Sequence, residues 1–164
     1  GTEGLAVLIK KVSAKAGITE VTFEQIFNRN LFFVRMAHST VKTEFTYYPF
    51  PRIENGMNVG ELAIDSLLDI AVNKVFTISQ KPRSRDFIDL HCILKDQPTW
   101  TFDDLVLKAQ AKFDHHIDLL QLSAQCLKAE ELKDFPTMTV PLEEKVWQDF
   151  FVTEAKRFAQ SQLR

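Results

Sequence analysis

Cysteine is scarce in this chain of 164 residues, and its two thiols, Cys92 and Cys126, lie in apolar helical stretches without Cys-x-x-Cys spacing. That argues against a disulfide framework and for reduced, buried thiols in a cytoplasmic protein. Long apolar runs are also missing. None approaches the roughly 20 residues that a membrane span requires, and no basic start followed by an apolar stretch reads as a signal peptide. A soluble protein is expected. An excess of one charge is absent too: 20 Lys and Arg face 22 Asp and Glu, for a formal net charge of -2. No global basic field therefore draws the chain to nucleic acid, and any such contact has to be a local patch. There is no internal repeat and no low-complexity tract.

What the chain does have is apolar residues, 45% of the total, enough to bury one core. It opens Gly1-Thr2-Glu3-Gly4 without a methionine and enters a helix almost at once, as a piece cut from a longer protein does. Leu5, Leu8, Ile9 and Val12 recur at helical spacing, which predicts a helix over residues 5–15 that Gly17 ends. Residues 20–27, 31–37 and 40–48 are rich in β-branched and aromatic side chains and are separated by short polar breaks, Asn28-Arg29-Asn30 and His38-Ser39. An antiparallel meander is the economical reading, stopped by Pro49 and Pro51. After a turn at Asn55-Gly56 the pattern becomes helical. Asp65 is expected to cap a first helix that closes at Lys81-Pro82, Ser84 a second over 85–95, and Thr101 a third from Phe102. A fourth is expected over 114–129. After an extended connection carrying Pro136 and Pro141, a last helix over 143–162 presents Trp147, Phe150, Phe151, Ala155 and Phe158 on one side. The fold class is α+β: a helix and a three-stranded antiparallel sheet, then a bundle of five helices. We divide the chain into residues 1–58 and a helical portion, 59–164, in one compact unit.

The chemistry concentrates in the first two of those five helices. Lys74 springs from the apolar stripe formed by Ile70, Ala71 and Ile78, so its ammonium must find an anion or a route to solvent. On the next helix Asp86 and Asp89 share a face with Leu90 and Ile93, at spacings of three and four. A short break between antiparallel helices lets either carboxylate meet Lys74, while Arg83 and Arg85 add cations beside them. Two readings stay open: a structural ion-pair knot that fixes the angle between helices, or a site.

The stretch Asp69-Ile70-Ala71-Val72-Asn73-Lys74, followed by Arg83-Ser84-Arg85-Asp86-Phe87-Ile88-Asp89-Leu90, resembles the Lys and Arg-Asp-x-x-Asp-Leu signature of the AbiEii/AbiGii nucleotidyltransferase toxins. Val41-Lys42-Thr43-Glu44-Phe45 with Tyr47-Tyr48-Pro49-Phe50-Pro51 is similar to the family's strand before its helical half. Trp147-Gln148-Asp149-Phe150-Phe151 with Glu154-Ala155-Lys156 is similar to its terminal helix. The likeness runs from about Val41 to the end. It implies transfer of a nucleotide from a nucleoside triphosphate to an acceptor, tRNA or another RNA, with Mg²⁺ screening the phosphates. The setting it implies is a bacterial toxin-antitoxin or phage-defence pair, with a cognate antitoxin protein as partner. Carried over by residue, Lys74, Asp86 and Asp89 are the expected catalytic residues, and Lys74, Arg83 and Arg85 bind nucleotide or acceptor. Glu44, on the polar face of its strand with Lys42 and Thr46, is the expected metal ligand. The family's Gly-rich turn and paired-acid motif have no counterpart here, so we expect the C-terminal part of such an enzyme, a poor catalyst by itself.

Other signals are read as structural. His115-His116 is expected to be a solvated helix end and His91 a packed histidine without a role. The 14 phenylalanines are expected to form core rather than a stacking platform. Lys145, Lys156 and Arg157 lie among Glu143, Glu144 and Glu154, which favours a solvated mixed face. The competing function is a non-catalytic interaction module of the same fold that binds a protein partner.

Overall fold

The computed structural model describes residues 2–13 and 17–162, which fall into two compact units, Gly1–Pro49 and Phe50–Arg164. In the first, helix α1 (Thr2–Ser13) is followed by strands β1 (Ile18–Ile26), β2 (Arg29–Met36) and β3 (Ser39–Thr46). They form one antiparallel sheet in the order β1-β2-β3, the expected meander. The expected end of α1 at residue 15 lies outside the described residues. The first hairpin turn is tighter than the polar break suggested. Phe27 takes a left-handed φ of 52° and is 94% exposed, so β1 stops at Ile26 while Arg29 and Asn30 already pair in β2.

Pairing sorts the sheet into two faces. Val21, Phe23, Phe32, Val34, Val41, Thr43 and Phe45 share one, and Thr22, Glu24, Leu31, Phe33, Lys42 and Glu44 share the other. Phe32 is buried on the apolar face, against the Phe23 ring at 4.8 Å and the edge of Phe45 at 5.9 Å. Cross-strand aromatic pairs of this kind hold register, because a slip of one residue would carry every ring to the opposite face.

In the second unit the described helices are α2 (Leu67–Gln80), α3 (Ser84–Asp96), α4 (Phe102–Phe113), α5 (Leu119–Leu127) and α6 (Glu144–Ser161). A short 3-10 turn, Lys128–Glu130, extends α5. None of the described helices is long and apolar enough to cross a membrane. Ala71, Val72, Val75 and Ile78 give α2 a fully buried stripe at helical spacing, and Trp147, Phe151, Ala155 and Phe158 give α6 another. Phe87 of α3 lies between Trp147 and Phe151 of α6, at centroid distances of 6.3 and 4.7 Å. Most phenylalanines of this unit therefore serve as core, as their spacing predicts.

Three helix starts and ends differ from expectation. Ser66, not Asp65, caps α2: its hydroxyl accepts from the Asp69 amide at 3.0 Å and donates to the Asp69 carboxylate at 2.8 Å. Asp65 instead pairs with Arg52 at 2.8 Å. Arg83, not Ser84, is the cap of α3, its backbone amide 3.2 Å from the Asp86 carboxylate. The fourth helix begins at Leu119 rather than at 114. Asp114 takes a left-handed conformation that ends α4, and Asp118 caps a separate α5 by accepting from the Gln121 amide at 2.8 Å. His115 and His116 thus sit exposed in a connection.

A small hairpin, β4 (Asn58–Val59) and β5 (Leu62–Ala63), turning at Gly60 with φ 62°, precedes α2. Gly56 is required for a different reason, close approach: a Cβ there would fall 1.8 Å from the Ile64 carbonyl oxygen. Gly56→Ala should therefore cost about 1–3 kcal/mol, because backbone rather than a flexible side chain has to yield. Thermal melting checks this, and an unchanged midpoint would refute the close approach.

Candidate functional site

Lys81, Pro82 and Arg83 separate α2 from α3, a break short enough to lay the helices side by side. Lys74 of α2 is thereby brought to both carboxylates of α3. Its Nζ donates to Asp86 Oδ1 at 3.0 Å and to Asp89 Oδ2 at 2.5 Å. The two acids differ in setting: the Asp86 side chain is 2% exposed and that of Asp89 48%, with Lys74 between them at 20%. Asp86 is held from three sides, since its Oδ2 also accepts from the Arg83 amide and from Arg83 Nε, each at 3.2 Å. Among the described residues Asp89 accepts only from Lys74, so one of its oxygens is open. Arg85 is exposed and forms no ion pair among the described residues. The arrangement is a fixed, buried acid behind a half-open ammonium, with an open carboxylate and the Arg83 guanidinium at the rim.

Glu44 lies in the other unit, on β3. Its carboxylate is clamped by Arg29, Nε at 2.6 Å and Nη2 at 2.7 Å, and also accepts from the Thr46 hydroxyl at 3.1 Å. The Arg29 hydrogen bonds bring the Glu44 pKa down to about 2 against the opposing effect of desolvation. With both oxygens given to a guanidinium, and no group of three or more His, Cys, Asp or Glu placed to hold a metal among the described residues, the side chains present do not fit a Mg²⁺ site by themselves.

Two acids that the motif did not single out carry more structural weight. Asp69, within the Lys74 stretch, is fully buried and accepts from Lys112 Nζ of α4 at 2.7 Å, from the Ser66 hydroxyl at 2.8 Å, and from the amides of Ile53 and Glu54 at 2.9 and 3.1 Å. Burial pushes its pKa up, but Lys112, the two amides and Ser66 together outweigh it and hold the carboxyl well below the usual range. Asp134 accepts from the amide and hydroxyl of Ser84 at 3.0 and 2.8 Å, and these bonds lower its pKa. It closes the start of α3 from 50 residues away, a separation that leaves no local sequence signal. For Lys112 a signal did exist, a lysine on the buried side of α4 one residue before Phe113.

An α+β chain whose helical unit sets a lysine between two α3 aspartates is the class these observations define. The family model described as nucleotidyl transferase AbiEii toxin, Type IV TA system, matches residues 6–162, and the chain belongs to that family. The match begins well before Val41, so it takes in most of α1 and all of the sheet as well as the helices. No curated protein and no solved structure matched the chain.

Proposed function

We propose that the Lys74 cluster serves transfer of a nucleotide from a nucleoside triphosphate to an RNA acceptor, in the toxin of a bacterial toxin-antitoxin or phage-defence pair whose cognate antitoxin is its protein partner. The setting is cytoplasmic, in keeping with the buried Cys126 thiol. The observation that carries this reading is the contrast between the two carboxylates. Asp86 is locked by three donors, so it positions the Lys74 ammonium, whereas Asp89 is open and can be exchanged for a phosphate oxygen. Lys74, Arg83 and Arg85 then meet the negative charge of the triphosphate. Magnesium would be carried by the triphosphate itself, since the side chains described do not form a site for it. In the reaction an acceptor hydroxyl oxygen bonds to the α-phosphorus, the bond to the β-phosphate bridging oxygen breaks and pyrophosphate leaves. The freed Asp89 carboxylate takes the hydroxyl proton.

A specific observation favours the second reading, a non-catalytic module binding a protein. Lys74, Arg83, Asp86 and Asp89 satisfy one another's charge, as a purely structural knot does. The readings separate when the full chain is incubated with total RNA and triphosphates labelled at either the α- or the γ-phosphate. Transfer places α-label in RNA and leaves γ-label in pyrophosphate. A chain that binds antitoxin and leaves nucleoside triphosphate unbound selects the module.

A further inference from the structure

Exchange at Lys74 leaves one group without a place. Asp89 Oδ2 accepts from Lys74 Nζ, and among the described residues Asp89 has no other partner. Once a phosphate oxygen takes that ammonium, a carboxylate and a phosphate face each other beside it. Even at the dielectric of water, like charges about 4 Å apart cost about fivefold in affinity. A second cation that receives the carboxylate removes this cost.

Few side chains can be that cation. Lys74 is the only lysine or arginine of α2, and α3 has Arg85 and Lys95. Residues three or four apart on a helix are neighbours, with about 5–6 Å between their Cβ atoms. Those around Asp89 are Arg85, Asp86, Cys92 and Ile93, and of these Arg85 alone is a cation. Lys95, six residues on, is turned about 120° away around the helix. Arg83 is engaged with Asp86, its Nε 3.2 Å from Oδ2. Arg85 is exposed and forms no ion pair among the described residues. The two acids differ in freedom as well. The Asp86 side chain, 2% exposed and bound by both Lys74 and Arg83, is fixed, while that of Asp89, 48% exposed with one contact, can turn.

We propose that Arg85 is the second seat of the Asp89 carboxylate. When a polyphosphate takes Lys74, Asp89 swings toward the preceding turn of α3 and pairs with Arg85. One contact, Lys74 with Asp89, is thereby replaced by two, phosphate with Lys74 and Asp89 with Arg85. Arg85 meets the charge of the triphosphate through the carboxylate that the triphosphate displaces, and it is a positioning residue. The proposal rests on the reading of Lys74 as a phosphate-binding cation.

The test uses metal-free inorganic tripolyphosphate and no RNA, so binding is measured without transfer. Calorimetric titration of the full chain gives affinities for the wild type, Arg85→Gln, Asp89→Asn and the double variant. Both positions are exposed, where substitution disturbs folding little. Arg85→Gln should weaken binding about fivefold in the wild-type background. Once Asp89→Asn has removed the carboxylate, the same change should leave affinity within about twofold. Asp89→Asn alone should tighten binding, because it removes both the competitor for Lys74 and the repulsion. In the wild-type protein the Arg85 Nε–H resonance should shift on saturation, and Asp89→Asn should abolish that shift. Equal weakening by Arg85→Gln in both backgrounds means that Arg85 touches the phosphates directly, which overturns the proposal and leaves the transfer reading in place. Absence of weakening in either background overturns it as well. Tripolyphosphate that binds Lys74→Met as tightly as the wild type overturns the reading of Lys74 and the proposal together.

Discussion

Replacement of Lys112 by methionine is expected to lower the melting temperature by about 10 °C or more, the largest stability loss of any single change to the charged residues of the helical unit. Asp69 and Lys112 have side chains 0% and 1% exposed and stand 2.7 Å apart. Removing one partner strands a charge that cannot reach water, at a cost of about 3–5 kcal/mol, and each kcal/mol moves the midpoint by roughly 2–4 °C in a protein of this size. The pH dependence has a definite sign. The Asp69 pKa is depressed in the fold, so its contribution is complete above the unfolded carboxyl value near 3.9 and is lost as pH falls toward the folded value. Wild-type stability should therefore fall on acidification below about pH 5, and Lys112→Met should show a shallower acid limb. The double substitution Asp69→Asn, Lys112→Met should cost less than the sum of the singles, since the two charges are coupled. A Lys112→Met protein that melts with the wild type would show that the pair does not hold α2 to α4.

The second large effect is on catalysis. Lys74→Met should reduce nucleotide transfer about 30-fold or more, roughly 2 kcal/mol of barrier, through loss of a positioned cation at the phosphates. Its stability cost should be moderate, because Asp86 retains the Arg83 guanidinium and amide. Asp89→Asn should change stability by less than about 1 kcal/mol, since that side chain is 48% exposed. Asp86→Asn should be the destabilising member of the trio, since it weakens three bonds at a buried position. Transfer assays and melts on the three variants give the comparison. Wild-type transfer by a stable Lys74→Met protein would remove Lys74 from the mechanism, and the cluster would stand as a structural knot.

These expectations rest unequally on the sequence. Periodicity marked the α6 stripe of Trp147, Phe151, Ala155 and Phe158, and alternation marked the polar face carrying Lys42 and Glu44, because such patterns are set by neighbours a few residues away. The same locality brought Lys74 and the two α3 aspartates into view, since Pro82 and a three-residue break leave adjacent helices little choice but to run side by side. The choice of capping residue was ambiguous where two candidates adjoin. Asp65 and Ser66 are both good caps, and Arg52, 13 residues upstream, takes the aspartate and leaves the start of α2 to the serine. The connection over residues 114–118 was hidden because that stretch remains compatible with a helix by composition. The left-handed turn is fixed by backbone geometry and by the Gln110 side chain accepting from the Ile117 amide at 3.0 Å.

By itself the sequence determined the α+β order of elements, the two apolar stripes, the antiparallel meander, the Lys and Arg-Asp-x-x-Asp-Leu likeness and the approach of Lys74 to α3. All of these depend on spacing along one chain or across a short connection. Only the tertiary structure decided which acids are clamped and which are open. Asp86 closes on Arg83 and Lys74, Asp69 on Lys112, Glu44 on Arg29, and Asp134 on the start of α3, while Asp89 keeps an oxygen free. Apart from Arg83, three residues before Asp86, the partners of these carboxylates come from 12 to 50 residues away, and no local pattern of residue types encodes that distance.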